Sequence, residues 1–174
     1  MKPPNGLVIR RAEPGDATLL AALARRTFRD AFGAANRPED LEAHLDAHYT
    51  PDEMAAELAD PSWCTLLTEV DGQAAGYAQL AAGDPPCEGG PGGIMLSRFY
   101  LEQAWVGRGI AGPLLAAVRR EALARGARYL WLTVWEQNPR AIAFYRKEGF
   151  DEIGETTFTV GSDPQRDLVM RAPL

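Results

Sequence analysis

Gly107, Gly109 and Gly112 fall within six residues, between an apolar run ending at Leu101 and an apolar-striped stretch from Ile110 to Ala122. Glycine lets another group come close to the backbone. The first turn of a helix carries unpartnered N–H groups and the positive end of a dipole. A strand, a glycine turn and a helix start therefore form a socket for phosphate. Two familiar sockets fail on inspection. Gly107 to Gly112 fits G-x-x-x-x-G, but Pro113-Leu114 stands where Lys and Ser/Thr must hold phosphate and magnesium. The same six residues fit G-x-G-x-x-G, and Glu136 ends the next strand as a ribose-binding acid would. Residues 102–106 nevertheless separate the strand from the first glycine, where a dinucleotide fold needs a tight turn. Only 38 residues of the 174 follow Glu136, too few for a second mononucleotide half.

The elements that must position this turn can be read from periodicity. Leu7 to Arg11 reads as a strand, and residues 16–32 have apolar residues at helical spacing. Residues 38–49 form a short helix after Pro38. Thr50-Pro51-Asp52-Glu53 is a capping box that starts another. Trp63 to Val70 and Gln73 to Ala81 make a hairpin around Asp71-Gly72. Residues 83–93 are a loop. A strand over 94–102, the glycine turn and a helix over about 109–125 follow, and Gly126 stops that helix. Tyr129 to Glu136 is a buried strand. Asn138-Pro139 caps a helix reaching about Lys147, before Gly149. Phe150 to Val160 and Gln165 to Met170 close the chain around a turn at 161–164. This is an α/β chain with neither repeat nor linker, expected to be one domain over residues 1–174.

The net charge of −6 is uneven. Residues 29–60 hold nine acids against two arginines, −7 in all, so the rest of the chain is +1. Such a surface repels nucleic acid and anionic lipid and gathers cations. No apolar run nears the ~20 residues that span a bilayer. No long apolar segment follows Met1 to Asn5, so no signal peptide is expected. Cys64 and Cys87 lack metal-ligand spacing and suit a reducing cytoplasm. His44 and His48, at i and i+4, lack a visible third ligand and read as surface histidines, so no metal is expected.

The pair V-G-R-G-I-A-G-P-L-L (106–115) and N-P-R-A-I-A-F-Y-R-K-E-G-F (138–150) resembles the two signature motifs of the GNAT acyltransferase superfamily. The likeness runs from Val8-Ile9-Arg10 to Asp167-Leu168-Val169-Met170. Within the superfamily it is most similar to bacterial spermidine/spermine N-acetyltransferases of the PaiA type, through T-F-R-D-A-F (27–32), R-F-Y-L (98–101) and V-W-E-Q-N (134–138). The resemblance implies a central mixed, mostly antiparallel sheet with a splayed parallel pair and helices on both faces. It implies acetyl-CoA as co-substrate and direct attack by an amine in a ternary complex. Val106, Gly107, Arg108, Gly109, Ile110, Ala111 and Gly112 would grip the pyrophosphate, with Arg140 beside them. Phe99, Tyr100 and Leu101 would face the acetyl carbonyl, and Asn138 the cofactor arm. Tyr145 would be catalytic: a phenol of pKa about 10 can protonate a thiolate of about 8.5 without ionising at neutral pH.

Val106 departs from the Gln or Arg usual in the family, which implies weaker CoA binding. Met95-Leu96-Ser97-Arg98 carries none of the carboxylates that relatives place on this strand. The base then falls to water near Ser97 or to an acid such as Asp30, with Phe28 also facing the substrate. The implied acceptor is a polyamine or similar small cationic amine. A protein N-terminus, a lysine, an aminoglycoside, or a CoA-binding domain without turnover are the alternatives. A homodimer is left open.

Overall fold

The computed structural model describes residues 2–87 and 90–174. Strand β1 (Leu7–Arg11) leads through a single 3-10 turn to three helices, α1 (Ala17–Phe32), α2 (Pro38–His48) and α3 (Pro51–Ala59). Strands β2 (Trp63–Val70), β3 (Gln73–Ala82) and β4 (Gly93–Leu101) follow. Then come α4 (Ala111–Ala124), β5 (Tyr129–Trp135), α5 (Pro139–Lys147), β6 (Asp151–Val160) and β7 (Asp163–Pro173). Residues 88 and 89 of the expected 83–93 loop lie outside the described residues.

The strands form one sheet in the order β1-β2-β3-β4-β5-β7-β6. All neighbours are antiparallel except β4 and β5. Alternation along each strand divides the core between two faces. Leu66, Leu80, Leu132 and Leu168 pack with Leu114, Val118 and Ile142 of α4 and α5. Leu67 and Tyr77 pack with Leu20, Phe28, Leu45 and Met54 of α1, α2 and α3. α1 docks because Leu20, Leu23, Ala24, Thr27 and Phe28 recur at helical spacing and are all buried. Thr50 Oγ1 accepts from the Glu53 N–H at 3.1 Å and starts α3.

One irregularity bears on function. Gln79 of β3 pairs with Arg98 and Leu80 with Leu96, so Ser97 is an extra residue in β4. A bulge reverses the alternation beyond it. Before Ser97, Ile94 and Leu96 face the α4–α5 core; after it, Phe99 and Leu101 do, and Tyr100 turns to the α1 side.

The last hairpin departs from expectation. Its turn is only Gly161-Ser162, and β7 runs from Asp163 to Pro173 rather than Gln165 to Met170. Pro164 and Pro173 sit near the two ends of β7, where a missing N–H weakens the ladder least. Asp40 of α2 accepts from the backbone N–H and the hydroxyl of Ser162, both at 2.9 Å, and ties this hairpin to the helices. Among the described residues no helix is long and apolar enough to cross a membrane.

Candidate active site

β4 and β5 pair only at their starts, Gly93 with Tyr129, Ile94 with Leu130 and Met95 with Trp131. Beyond Met95 they part. β4 stays bonded to β3 as far as Leu101, and β5 to β7 as far as Trp135. The facing edges therefore carry backbone donors and acceptors with no strand partner. A cavity of about 280 Å³ fills the gap. It crosses the sheet: Leu96, Val134 and Tyr145 on its wall belong to the α4–α5 core, while Phe28, Phe32 and Trp135 belong to the α1–α3 side.

The glycine turn joins β4 to α4 outside the cavity lining. Gly107 and Gly109 have φ of +79° and +80°. A side chain in that region costs about 1–2 kcal/mol. α4 begins after Ile110, whose side chain cannot accept a hydrogen bond, so the helix start has no side-chain cap. Among the described residues no backbone acceptor meets the N–H groups of Gly107, Gly109, Ala111 or Gly112. Arg140, in the first turn of α5, holds a guanidinium nitrogen 3.6 Å from where a Cβ on Gly107 would lie. Arg108 stacks over Trp105, 5.8 Å from the ring centroid.

Tyr145 is buried, edge-on to Phe99 and Phe150 at 6.3 and 5.4 Å between centroids. Burial raises its phenol well above the ordinary value, so it keeps its proton at every physiological pH. Asn138 Oδ1 accepts from the Ala141 N–H at 3.1 Å, capping α5, and the residue also lines the cavity.

The far chamber is aromatic. Phe28 contacts Phe32 at 4.5 Å and stacks on His44 at 4.7 Å between centroids. Arg98 enters from β4, over the Tyr49 ring at 4.9 Å. Its Nη1 donates to Glu57 Oε2 and Gln79 Oε1, both at 2.5 Å. Gln79 in turn donates to Glu57 and to Thr65 Oγ1, at 2.9 and 3.0 Å.

The profile of the acetyltransferase (GNAT) family matches residues 22–150. The chain belongs to the GNAT acetyltransferase family. An uncharacterized N-acetyltransferase in the pepI 3' region of Lactobacillus delbrueckii subsp. lactis is 32% identical over 171 residues, 98% of this chain and 99% of that protein. An uncharacterized N-acetyltransferase of Mycobacterium tuberculosis is 37% identical over 155 residues, covering 89% and 96%. The fold is that of the PaiA N-acetyltransferase from Thermoplasma acidophilum, solved with coenzyme A: TM-score 0.80, 21% identity, 97% and 99% covered. This GNAT protein is an N-acetyltransferase with acetyl-CoA as co-substrate, and the splayed pair and two-faced helical cover expected of the fold are present.

The GNAT geometry sorts the residues singled out in the sequence. Phe28, Ser97, Phe99, Tyr100, Asn138 and Tyr145 all line the cavity. Residues 106–112 and Arg140 gather at the turn outside it. Leu101 lies beyond the cavity, packed with Val70, Ala75 and Ile110. Asp30 is exposed and does not line the cavity. It is two residues, hence about 200°, around α1 from Phe28. His44 is buried rather than on the surface. Burial lowers its imidazole to about 4, with help from His48 and Arg98, so it is neutral at physiological pH. Among the described residues no group of three or more His, Cys, Asp or Glu stands where it could hold a metal ion.

The sequence reading missed Asp167. It is 6% exposed, lines the cavity from β7, and is the one carboxylate among the described lining residues. Its neighbours Leu168 and Arg166 gave it the look of an ordinary strand residue. The register Trp135↔Asp167 is what brings it to the gap.

Proposed function

We propose that this protein transfers acetyl from acetyl-CoA to a primary amine of a small molecule, by direct attack while both are bound. The observation that carries the reading is a cavity that passes through the sheet where β4 and β5 part, with Tyr145 on one side and an aromatic chamber on the other. The pyrophosphate lies on the amides of residues 107–112, with Arg140 as counter-charge. Val106 contributes no polar side chain there. The pantetheine arm pairs with the open edges of β4 and β5, and a β4 amide near Phe99 and Tyr100 receives the developing oxyanion. Tyr145 gives its proton to the departing sulfur. The dry surroundings that raise its phenol also raise the proton affinity of a thiolate formed beside it.

The acceptor is a compact cationic amine with an apolar or aromatic body. Aromatic walls favour such a cation. A polyamine acceptor has the acidic 29–60 stretch in its support, through its long-range field. Its remote ammonium, however, would find no second carboxylate among the described residues of the cavity wall. Glu42 and Asp46 pair with Arg25 and Arg29, Asp40 with Arg37 and Glu57 with Arg98. Release of free CoA thiol across a panel of amines decides between them. An arylalkylamine-type acceptor gives a KM nearly flat in salt, whereas a steered polyamine gives a KM that climbs with it. In the same assay Tyr145→Phe loses about 100-fold or more in kcat while binding CoA normally. Full activity in that variant, or silence of the wild type toward every amine, overturns the reading.

A further inference from the structure

An ammonium of pKa about 10 must lose a proton before its nitrogen can attack. β4 offers no carboxylate for this. Asp167 lies on the same face of the sheet as Trp135 and opposite Thr156 of β6. Tyr145 reaches the same cavity from the other face. A thioester held in the gap between β4 and β5 therefore lies between a phenol on one side and a carboxylate on the other.

We propose that Asp167 is the base that takes the proton from the incoming amine, an inference that rests on the acetyltransferase reading above. Asp167 accepts a hydrogen bond from Thr133, and among the described residues no arginine, lysine or histidine pairs with it. The nearby cations are engaged elsewhere: Arg98 with Glu57, and Arg166 with Glu136 and Glu155. A buried carboxylate without a cation is costly, and a fold keeps one where it has work to do. Burial lifts its carboxyl to about 6, against the Thr133 bond, which pulls the other way. It is thus ionised at neutral pH and more basic than a solvated aspartate. His44, lowered to about 4, is the weaker base.

The step balances. Asp167 takes one proton from the ammonium and later releases it to solvent. The freed lone pair forms the C–N bond. The C–S bond breaks, its electron pair leaves with sulfur, and Tyr145 protonates that sulfur. The surplus proton on the new amide nitrogen passes to the Tyr145 phenolate.

The test is the pH profile of kcat/KM for wild type and Asp167→Asn, with CoA binding measured on both to show that the variant is folded. The charged and titratable groups that line the cavity with Asp167 are His44 and His48 from α2, Tyr49 just after it, Arg98 and Tyr100 from β4, and Tyr145 from α5. Tyr49, Tyr100 and Tyr145 are all raised by burial and hold their protons across the range. The wild type should gain activity through about pH 6 and then level. Asp167→Asn should lose about 100-fold at neutral pH, and recover about tenfold per pH unit as the amine deprotonates unaided. Three results overturn the proposal. One is an unchanged profile, in which case another group carries the limb. Another is a loss that is equal at all pH and confined to KM, which makes Asp167 an ammonium anchor. The third is a wild type that acetylates no amine, which removes the acetyltransferase reading together with it.

Discussion

On the α4–α5 side, the site is made from two short contiguous stretches, residues 106–112 and 138–145. On the α1–α3 side it is collected from α1, α2, β4, β5, β6 and β7, with Phe28, His44, Tyr100, Trp135, Phe158 and Asp167 drawn from across the chain. The first side offers backbone amides at a helix start, which any sequence with the right glycines supplies. The second uses side chains, and each must be held by its own neighbours. In the proposed reading the common donor lies on main chain and the acceptor among side chains, whose replacement changes the chamber without touching the donor site.

The sharpest way to break this contrast is to remove what holds the acceptor side together. Arg98 and Glu57 are each about one-seventh exposed, at 13% and 14%, and Gln79 is buried with them. Arg98→Ala leaves the half-buried Glu57 carboxylate without a cation and the buried Gln79 Oε1 without its donor. We expect a loss of about 3–5 kcal/mol, read as a lower midpoint in urea. Arg98→Ala together with Glu57→Leu should recover much of that loss, since the uncompensated charge goes too. If the single variant costs under about 1 kcal/mol, the chamber is not held by this pair.

Asp167 gives the next effect, and its sign is opposite. The carboxyl stands at 3.8 when solvated and about 6 in the folded chain. Between those values the folded chain keeps a proton that the unfolded chain has lost. Stability therefore falls as pH rises from about 4 to 6, and the whole deficit persists above that. Asp167→Asn abolishes it. The variant should be more stable than wild type at pH 8 by on the order of 3 kcal/mol, and equal to it near pH 3. Thermal melts at both pH values check this. If Asp167→Asn also slows the reaction as proposed, the site retains this residue at the expense of stability. Equal melting at both pH values would mean that the carboxylate is solvated after all.

The contrast also explains what could be read without coordinates. Nearly every helix and strand was legible, because amphipathic spacing, Thr50, Asn138 and the glycines are local signals. Gly107 was legible as part of a turn with φ above zero and Asn138 as a helix cap for the same reason, whereas Tyr145 was singled out only through the family resemblance. Asp167 was not. Its sequence neighbourhood is a strand next to a turn, and only antiparallel pairing of β7 with β5 turns it toward the gap. Asp30 misled in the complementary way: it adjoins the right helix face in number but not in angle. Ser97 was singled out only as a place for water beside β4. Its structural part, as the extra residue that switches which face Tyr100 and Arg98 address, depends on the register with β3 and could not be seen in one strand alone.

The smallest expected effect probes the donor side by itself. Gly109 has φ of +80°, and alanine there is strained by about 1–2 kcal/mol. Relief of that strain tilts the following amides away from a bound diphosphate. CoA should bind about 5- to 30-fold more weakly to Gly109→Ala, measured by calorimetry. At saturating acetyl-CoA, kcat should be unchanged, because neither Tyr145 nor Asp167 has moved. The KM for the amine should stay where it was, since the chamber lies across the sheet. An unchanged CoA affinity would remove the diphosphate from this turn. A change in amine KM as large as the change in CoA affinity would show that the two sides of the gap are not separable, and with that the contrast itself would fall.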